Sequence, residues 1–263
     1  MSHRQSIRGM HDLLPADALL WRQLERIIES VFHQYQFEEI RTPIVEHTEV
    51  FTRAIGETTD VVEKEMYTFE DRNGDSLSLR PEGTAGVVRS VIQHGLLNPP
   101  GKKVWYHGPM FRHERPQRGR QRQFHQYGVE VFGLGQPTID VELILMIERL
   151  WQILGLADSV QLQINSLGDK ADRQRYRQTL VNYLTPFKSE LDEDSQRRLE
   201  TNPLRIFDSK VPKTQEIMAD APRFSEALGE EARAHFDEVQ STLRGLGVSF
   251  SVNPGLVRGL DYY

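Results

Sequence analysis

Apolar and polar residues alternate along two stretches near the middle of the chain, and this pattern predicts a long antiparallel hairpin. Both stretches, 104–114 and 122–133, are rich in the aromatic and β-branched residues that favour strands. The polar segment between them, 115–121, contains Pro116 and Gly119, which are typical of loops. The centre of the chain is therefore predicted to be two paired strands with a mobile, cationic tip.

Helical spacing of apolar residues marks the segments on either side of this hairpin. It begins at or just after Pro15 and appears again over 140–156, so a helix is predicted in each place. The sequence Asn73-Gly74 predicts a tight turn between two short strands, since both residues tolerate positive φ. Residues 160–165 alternate apolar and polar, which predicts a half-exposed strand that returns to the sheet.

The character of the sequence changes at about residue 169. From 169 to 245 the chain is charged, favours helix and is interrupted by four prolines, which predicts several helices in a separate module. Strand alternation resumes over 248–252. The expected fold class is α+β, with an antiparallel sheet flanked by helices. The expected domains are a core over 1–168, a helical insertion over 169–245 and a return to the core over 246–263.

Composition narrows the class of protein. The 263 residues, 38% of them hydrophobic, suffice for one sizeable core or for a core with a smaller module. The absence of cysteine excludes disulfides and a cysteine-based zinc site. The sequence has neither an apolar run of about 18 residues nor the layout of a signal peptide, so we expect a soluble, cytoplasmic protein without membrane contact. The net charge of −6 restricts nucleic-acid contacts to local basic patches.

One face of the predicted hairpin concentrates polar chemistry, because alternate residues of a strand share a face. On the second strand this face carries Phe124, Gln126, Gly128, Glu130 and Phe132. On the first strand it carries Tyr106, Gly108, Met110 and Arg112. An aromatic ring, an amide, a carboxylate and a guanidinium suit a small zwitterionic ligand beside a nucleotide. Buried charges without partners are costly, so this surface is predicted to be a binding site.

Arginines are concentrated in and around the predicted loop. They occupy positions 112, 115, 118, 120 and 122. Guanidinium groups match phosphate oxygens in bidentate geometry, which favours a phosphate-binding role. A solvated basic loop or a generic nucleic-acid patch explains the same composition, so these alternatives stay open at this point.

Other catalytic patterns receive little support. His107, His113 and His125 suggest a metal site, but no HExxH motif or carboxylate-rich ligand set accompanies them, so we expect no metal held by protein side chains. His113 and His125 are expected to form hydrogen bonds beside the nucleotide pocket. The sequence lacks a GxxxxGK[ST] phosphate loop, a Rossmann glycine fingerprint and a GxSxG elbow.

Three segments resemble motifs of one enzyme family. Phe111-Arg-His-Glu114, followed after the loop by Arg122-Gln-Phe-His-Gln-Tyr-Gly-Val-Glu130, resembles motif 2 of class II aminoacyl-tRNA synthetases. Leu79-Arg-Pro-Glu-Gly-Thr84 resembles the amino-acid-binding segment of histidyl-tRNA synthetases, and Leu256-Val-Arg-Gly-Leu-Asp-Tyr-Tyr263 resembles their histidine-specific signature. The resemblance extends from Arg8 to the last residue. It implies a class II synthetase-like sheet and a ligase that activates histidine with ATP and transfers it to tRNA(His).

The resemblance also implies partners. The long helix after Pro15 and the proline-bearing strand over 37–45 resemble class II motif 1, which implies a homodimer through this region. The helical module over 169–245 occupies the position of an insertion that leans toward the tRNA acceptor stem. ATP is expected as a substrate, with Mg²⁺ bound mainly through ATP.

Site residues follow from the resemblance position by position. The expected catalytic residues are Arg112 and Arg258. The expected histidine-binding residues are Glu82, Thr84, Arg112, Gln126, Glu130, Arg258, Tyr262 and Tyr263. The expected ATP-binding residues are Arg112, Glu114, Arg120 and Phe124. Glu82 and Thr84 also stand at a predicted helix start, where ordinary helix caps have the same residue types.

One departure and two alternatives remain. The family continues beyond its signature into a motif 3 segment and an anticodon-binding domain, so we expect this chain to be a truncated catalytic fragment with weak activity or none. Synthetase-like regulatory subunits of ATP phosphoribosyltransferase share the fold, and they should tolerate losses in the histidine pocket. A plain nucleotide- or RNA-binding module would use the arginine loop without any demand for histidine.

Overall fold

The computed structural model describes residues 5–56, 59 and 61–256. Three predicted site residues, Arg258, Tyr262 and Tyr263, lie outside the described residues. The roles expected for them therefore stay predictions.

The chain divides into two units that are described separately. The first comprises the described residues of 1–135 and 145–157, and the second those of 136–144 and 158–261. Among the described residues, no helix combines the length and the apolar character that crossing a bilayer requires. The first unit contains the strands of the predicted hairpin, and the second is mainly helical.

The elements of the first unit follow the predicted pattern, except that the strand predicted over 37–45 is divided into two short strands separated by the segment that contains Pro43. In chain order they are α1 (Pro15–Gln34), β1 (Glu38–Glu39), β2 (Val45–His47), α2 (Thr48–Ile55), a π-helical turn (Val61–Glu65), β3 (Tyr67–Glu70), β4 (Ser76–Leu79), α3 (Thr84–Gln93), β5 (Lys102–Phe111) and β6 (Gln123–Phe132). The predicted helix after Pro15 is confirmed as α1. Proline fits at its start because the first turn of a helix needs no amide donor.

Residues of helix α4 (Pro137–Ile153) belong to both units, and a 3₁₀ turn (Ala157–Ser159) follows it. The second unit continues with β7 (Gln163–Ile164), α5 (Lys170–Leu184), α6 (Glu193–Thr201), α7 (Pro212–Ala219), α8 (Glu230–Gly245) and β8 (Ser251–Val252). Short 3₁₀ helices connect them at Thr185–Glu190, Pro203–Asp208 and Phe224–Glu226. The predicted helical character of 169–245 is confirmed.

The sheets are small, and the hairpin dominates them. Strands β5 and β6 pair in antiparallel register along their whole length, and β1 adds to β5 in parallel. A second sheet has the order β2-β4-β3, all antiparallel. In the second unit, β7 and β8 pair in parallel.

One buried cluster of the first unit lies between helix α3 and the hairpin. Buried Val87 and Val91 of α3 pack with Val104, Tyr106 and Met110 of β5. These five side chains expose at most 4% of their surface, so the helix covers β5 closely. The N-terminus of α3 is thereby fixed beside the hairpin, which matters for the site.

The predicted turn at Asn73-Gly74 is confirmed with one difference. Gly74 has φ 88°, whereas Asn73 does not enter the positive region. Instead the Asp71 carboxylate accepts the amides of Asn73 and Asp75, at 2.7 and 3.0 Å. A side-chain acceptor thus completes this turn in place of a second residue with positive φ.

The strand predicted over 160–165 is shorter than expected. Only Gln163–Ile164 form β7, and in the described part of the chain this strand pairs with β8 and not with the hairpin. The amide of Ser251 donates to the carbonyl of Leu162, and that of Asn253 to Ile164, both at 3.0 Å. Alternation indicates a strand with one exposed face, but it does not specify the partner strand.

Candidate functional site

The register of the hairpin brings the predicted residues together as expected. Across the two strands the pairs on one face are Val104–Glu130, Tyr106–Gly128, Gly108–Gln126 and Met110–Phe124. Directly opposite residues on antiparallel strands point to the same face. Only part of that face is polar surface, however. Tyr106 and Met110 are core residues, so the expectation that the whole face is a site is corrected to the β6 residues and Arg112.

The N-terminus of helix α3 carries the first carboxylate of the site. Glu82 is 3% exposed, and its side chain accepts the main-chain amides of Thr84 at 2.6 Å and Ala85 at 2.9 Å. It therefore caps the helix, as the simpler interpretation of this segment required. A helix terminus stabilises an anion, which helps to keep a carboxylate at a buried position.

The second carboxylate comes from β6 and bonds to the same turn. The Thr84 hydroxyl donates to Oε1 of Glu130 at 2.7 Å. Burial raises the pKa of Glu82, although the amides of Ala85 and Thr84 oppose that shift. Burial also raises the pKa of Glu130, and the nearby charge of Glu82 adds to it. Two neighbouring buried carboxylates create a strongly negative environment, which favours a bound cation such as an ammonium or an imidazolium.

The ring of Tyr106 packs against the segments that carry these two carboxylates, and two glycines leave space for it. A Cβ atom built at Gly83 or at Gly128 would collide with the Tyr106 ring. The phenolic oxygen lies 3.4 Å from the Thr84 hydroxyl. A larger residue at either glycine position would clash with the Tyr106 ring, so both glycines are required by close approach.

Gln126 is the polar group of β6 next to this cluster. Its Oε1 atom is buried and accepts no hydrogen bond within the part of the chain that the structure describes. A buried acceptor without a donor costs about 1–3 kcal/mol, so such atoms usually have a functional or solvent-mediated role. Gln126 can therefore accept a hydrogen bond from a ligand held between the carboxylates and the hairpin.

Arg112 lies just beyond the end of β5 and is oriented by two contacts. Its Nε atom donates to the carbonyl oxygen of Pro81 at 2.8 Å, and its guanidinium carbon lies 5.3 Å from the centre of the Phe124 ring. A cation over an aromatic face is favourable by about 0.5–1 kcal/mol at exposed sites. Arg112 thus presents a fixed positive charge at the edge of the negative cluster.

Arg112 and the loop residue Arg120 both lie near the carboxylate of Glu114. Nη1 of Arg120 is 3.4 Å from Oε2 of Glu114, and Nη1 of Arg112 is 4.0 Å from Oε1. The side chain of Arg120 is 63% exposed, so its ion pair is weak and easily exchanged for a stronger anion such as a phosphate. Arg115 and Arg118 carry their charges near the tip of the same loop.

The arm that precedes α1 contacts the base of this loop, which the sequence did not indicate. The carbonyl oxygen of Gly9 accepts the amides of Arg122 at 2.8 Å and Gln123 at 3.0 Å. Gly9 has φ 83°, and a Cβ there would crowd Pro116 and Arg122. The arm therefore contacts the hairpin at the point where the loop ends and β6 begins.

Two histidines expected to form hydrogen bonds beside the pocket make other contacts. His125 faces the opposite side of the hairpin, where its ring packs on Trp21 at 4.6 Å and burial lowers its pKa. His113 packs edge-on against Tyr67. Within residues 5–56, 59 and 61–256, no group of three or more histidine and acidic side chains is arranged to hold a metal ion. The expectation of hydrogen bonds from these two rings beside the pocket is not supported.

A cavity of about 680 Å³ lies in the second unit, lined in part by Asp140, Asn165, His235 and Phe236. Asp140 and His235 are each other's partners, 2.6 Å apart. None of the described site residues predicted from the sequence lines this cavity. The convergent, partly unsatisfied polar groups are those on the hairpin and α3, and we take these as the candidate site.

Comparisons with known proteins identify the family and the fold of the chain. The family model for histidyl-tRNA synthetase matches residues 9–263. An apo histidyl-tRNA synthetase from S. aureus is 39% identical and superimposes with a TM-score of 0.76, over 99% of this chain and 59% of that one. This likeness confirms the expected α+β fold, a class II synthetase-like sheet flanked by helices. The chain thus spans 59% of the length of the S. aureus synthetase.

Two more distant structures share the fold alone. An ATP phosphoribosyltransferase regulatory subunit/histidyl-tRNA synthetase from Bacillus halodurans is 19% identical, with a TM-score of 0.67 over 99% of this chain and 70% of that one. A histidine–tRNA ligase subunit from Alicyclobacillus acidocaldarius is 16% identical, with a TM-score of 0.65 over 100% of this chain and 84% of that one.

Proposed function

The chain belongs to the histidyl-tRNA synthetase family, and from this premise we propose that it forms the catalytic core of an ATP-dependent histidine–tRNA ligase. In the first step the histidine carboxylate attacks the α-phosphorus of ATP, and the bond to the bridging oxygen breaks. The products are histidyl-adenylate and pyrophosphate. In the second step a hydroxyl of the terminal adenosine of tRNA(His) takes the histidyl group and AMP leaves.

Histidine would lie between the N-terminus of α3 and strand β6. Glu82 and Thr84 would hold its α-ammonium group, and Glu130 would accept a hydrogen bond from the imidazole. Gln126 would bind near the carboxylate. The two buried carboxylates support this proposal, because each has a raised pKa that a cationic partner would lower again. Tyr262 and Tyr263, outside the described residues, are proposed to line the imidazole pocket.

ATP would bind along the outer part of the hairpin. Arg112 and Arg258 would approach the α-phosphate and the carboxylate from two sides, and Arg120 would hold the outer phosphates. Glu114 would orient the adenine and Phe124 would stack on it. Mg²⁺ would arrive with the nucleotide as part of the substrate. Catalysis would consist mainly of positioning two anions that repel each other and of stabilising the charge of the transition state.

Partners and location follow from the same proposal. We propose homodimerisation through the motif 1 region, where α1 exposes 63% of Leu19 and 66% of Leu20, and the residue before β2, Ile44, exposes 41%. Exposed apolar surface of this kind is typical of an interaction site. The proposed domains are a catalytic core formed by residues 1–168 and 246–263 and a helical insertion over 169–245. The insertion would contact tRNA. The cytoplasm is the proposed location.

One observation carries the proposal. The Thr84 hydroxyl joins the two carboxylate segments by its hydrogen bond to Glu130, with the buried acceptor of Gln126 on the same strand. A nucleotide-binding module would need only the arginines and an aromatic surface. The carboxylate pair and the amide have no use in such a module, whereas an amino acid with a cationic side chain requires them.

The test is histidine-dependent exchange of labelled pyrophosphate into ATP, measured on the protein at its natural length. Histidine should support exchange and the other amino acids should not. The variant Glu130→Gln should lose at least about tenfold in kcat/KM for histidine, because a charged hydrogen bond is worth about 1.5–3 kcal/mol. The exposed Glu70→Gln serves as a control and should behave like the wild type.

Two results would favour a different function for this chain. Histidine binding without exchange would favour a regulatory subunit that has kept the amino-acid pocket. ATP binding with no effect of histidine would favour the plain nucleotide module. Loss of exchange in Arg258→Ala and Arg112→Ala, with exchange in the wild type, would support the proposed roles of both arginines.

A further inference from the structure

Arg80 is a buried cation that the proposed reaction does not use directly. It follows β4 and is 6% exposed. Its Nε atom donates to the carbonyl oxygen of Pro109 at 2.9 Å, and Nη1 donates to that of Thr42 at 3.1 Å. Among the described residues its hydrogen bonds go to carbonyl and hydroxyl oxygens and not to a carboxylate.

Keeping such a charge away from water is costly, because carbonyl dipoles compensate it less than a carboxylate does. Burial accordingly lowers the pKa of Arg80, although the charge of nearby Glu46 partly opposes that shift. An apolar residue would fill this space at less cost. The arginine must therefore provide something that an apolar residue cannot.

Strand β5 is shaped around this guanidinium. Gly108 has φ 144°, and a Cβ built there would collide with Nη2 of Arg80. The guanidinium thus occupies the space that a side chain at position 108 would take. Gly108 pairs with Gln126 across the hairpin, so the arginine is held beside the strand that carries the site.

The main chain around Arg80 bonds to the same strand end. The carbonyl oxygen of Arg80 accepts the amide of Phe111 at 2.9 Å, and the carbonyl oxygen of Pro81 accepts Nε of Arg112 at 2.8 Å. With the bond from Nε of Arg80 to Pro109, three hydrogen bonds therefore join residues 80–81 to residues 109–112. Glu82 follows directly in the chain.

We propose that Arg80 is a positioning residue for histidine activation, which holds the end of β5 that carries Arg112 in a fixed relation to the segment that carries Glu82. This inference rests on the proposed function. Arg80 touches none of the reacting groups, but it joins the segment expected to bind the ammonium to the segment expected to bind the phosphate. A lysine cannot replace it, because an ammonium is a point donor, whereas the planar fork of arginine reaches oxygens on separate segments.

The test compares Arg80→Lys with Arg89→Lys in the natural-length protein. Arg89 is also partly buried in the first unit, but it pairs with the carboxylate of Glu46 and with Gln93, which an ammonium can also bind. We measure pyrophosphate exchange as kcat and KM, thermal unfolding, and hydrogen exchange of a peptide that contains the Phe111 amide. R80K should lower kcat about tenfold to a hundredfold, as expected for a small misplacement of a reacting group.

The supporting result has three parts. In R80K the kcat should fall while the KM for histidine changes less than about threefold and the Phe111 peptide exchanges faster, and R89K should match the wild type in all three. A folded R80K with wild-type kcat, or with reduced kcat and unchanged exchange of the Phe111 peptide, would overturn the proposal. Equal losses in R80K and R89K would assign Arg80 to packing alone.

A second variant and the wild-type result distinguish a folding failure of R80K from a failure of the proposed function. If R80K does not fold, Arg80→Gln takes its place, because the neutral amide avoids a buried charge but is too short to reach the oxygens of both Pro109 and Thr42, and the same criteria apply. If the wild type shows no histidine-dependent exchange, the proposed function fails. The hydrogen-exchange comparison then still decides whether Arg80 fixes the end of β5.

Discussion

The hydroxyl of Thr84 donates a hydrogen bond of 2.7 Å to Oε1 of Glu130, and it thereby fixes a strand carboxylate to the start of a helix. The amide of the same threonine donates to the carboxylate of Glu82 at 2.6 Å. One residue therefore orients both acids of the site. Because both carboxylates are largely buried, the direction of each depends on these few donors and not on solvent.

The first prediction concerns this hydroxyl. Thr84→Val keeps the shape of the side chain but removes the donor, so Glu130 loses its partner and its preferred direction. We expect the KM for histidine in pyrophosphate exchange to rise at least about tenfold, since a hydrogen bond to a charged group is worth about 1.5–3 kcal/mol. Thr84→Ser retains the donor and should stay within about threefold of the wild type. Equal values for the valine and serine variants would contradict the role of the hydroxyl.

The second prediction uses the pKa of Glu130. Burial raises this pKa, so the folded protein binds the proton more tightly than the unfolded chain does. The stability of the wild type should therefore fall as pH rises from the ordinary carboxyl range through the raised pKa. Glu130→Gln does not titrate and keeps an oxygen that can accept the Thr84 hydroxyl. It should have a higher Tm than the wild type at neutral pH, while its histidine activation is lost.

The pH series provides the control for this prediction. Below the ordinary carboxyl pKa both forms carry a neutral side chain at position 130, so the Tm difference should vanish there. Thermal unfolding from pH 4 to pH 8, recorded in the same salt, measures it. A Tm difference that is independent of pH would show that packing, and not the buried charge, distinguishes the two proteins.

The sequence predicts the hairpin and the residues that share its polar face well, because both depend on local patterns. Alternation places Gln126 and Glu130 on one face, and the observed pairing confirms it. The same pattern cannot show that Tyr106 and Met110 are covered by helix α3, since burial depends on tertiary packing. Only half of the expected surface is therefore accessible to a ligand.

The residues that the sequence did not reveal act through shape and main-chain bonds. Arg80 stands between a strand end and a proline, and its bonding to Pro109 depends on contacts between distant segments. Gly9 contributes a carbonyl oxygen, which any residue possesses. The sequence offers one signal for the close approach of Arg80 to Gly108. Arg80 is a charged residue directly after a predicted strand, and Gly108 is a glycine inside another strand, where it marks a close approach.

The third prediction concerns acid stability in the second unit. Asp192 caps helix α6 and accepts hydroxyl hydrogen bonds from Ser195, Ser209 and Thr214 at 2.7, 2.8 and 2.9 Å. Burial alone would raise its pKa, but these hydrogen bonds outweigh burial and hold the pKa well below its usual range. The stability that Asp192 contributes should therefore be present above its unfolded pKa of 3.8 and be lost as pH falls below that value.

Asp192→Asn tests this network. In the wild type both carboxylate oxygens of Asp192 accept hydrogen bonds, whereas the side-chain amide of asparagine has only one acceptor oxygen. We therefore expect a loss of about 1–3 kcal/mol in the free energy of unfolding at neutral pH, as for other broken polar networks. The loss should shrink as the pH falls below 4, where the unfolded wild-type chain takes up a proton at Asp192 that the folded protein does not bind. Asp194→Asn, on the exposed side of the same turn, is the matched control and should have little effect at any pH. Urea unfolding at several pH values measures both variants, and a loss that does not depend on pH would contradict the assignment.

The last prediction separates two arginines of the same loop. Arg120 lies beside Glu114, within 3.4 Å, and its charge is directed toward the end of the hairpin where the nucleotide is proposed to bind. Arg120→Ala should raise the KM for ATP about tenfold while the KM for histidine stays nearly constant, because a charge-assisted contact to phosphate is lost. Arg118→Ala removes the same charge two positions earlier in the loop and should change the KM for ATP by less than about threefold. Added salt should reduce the difference between wild type and R120A, since an exposed guanidinium is partly screened. Equal effects of the two substitutions would mean that the loop attracts ATP by its overall charge and that no individual arginine binds the outer phosphates.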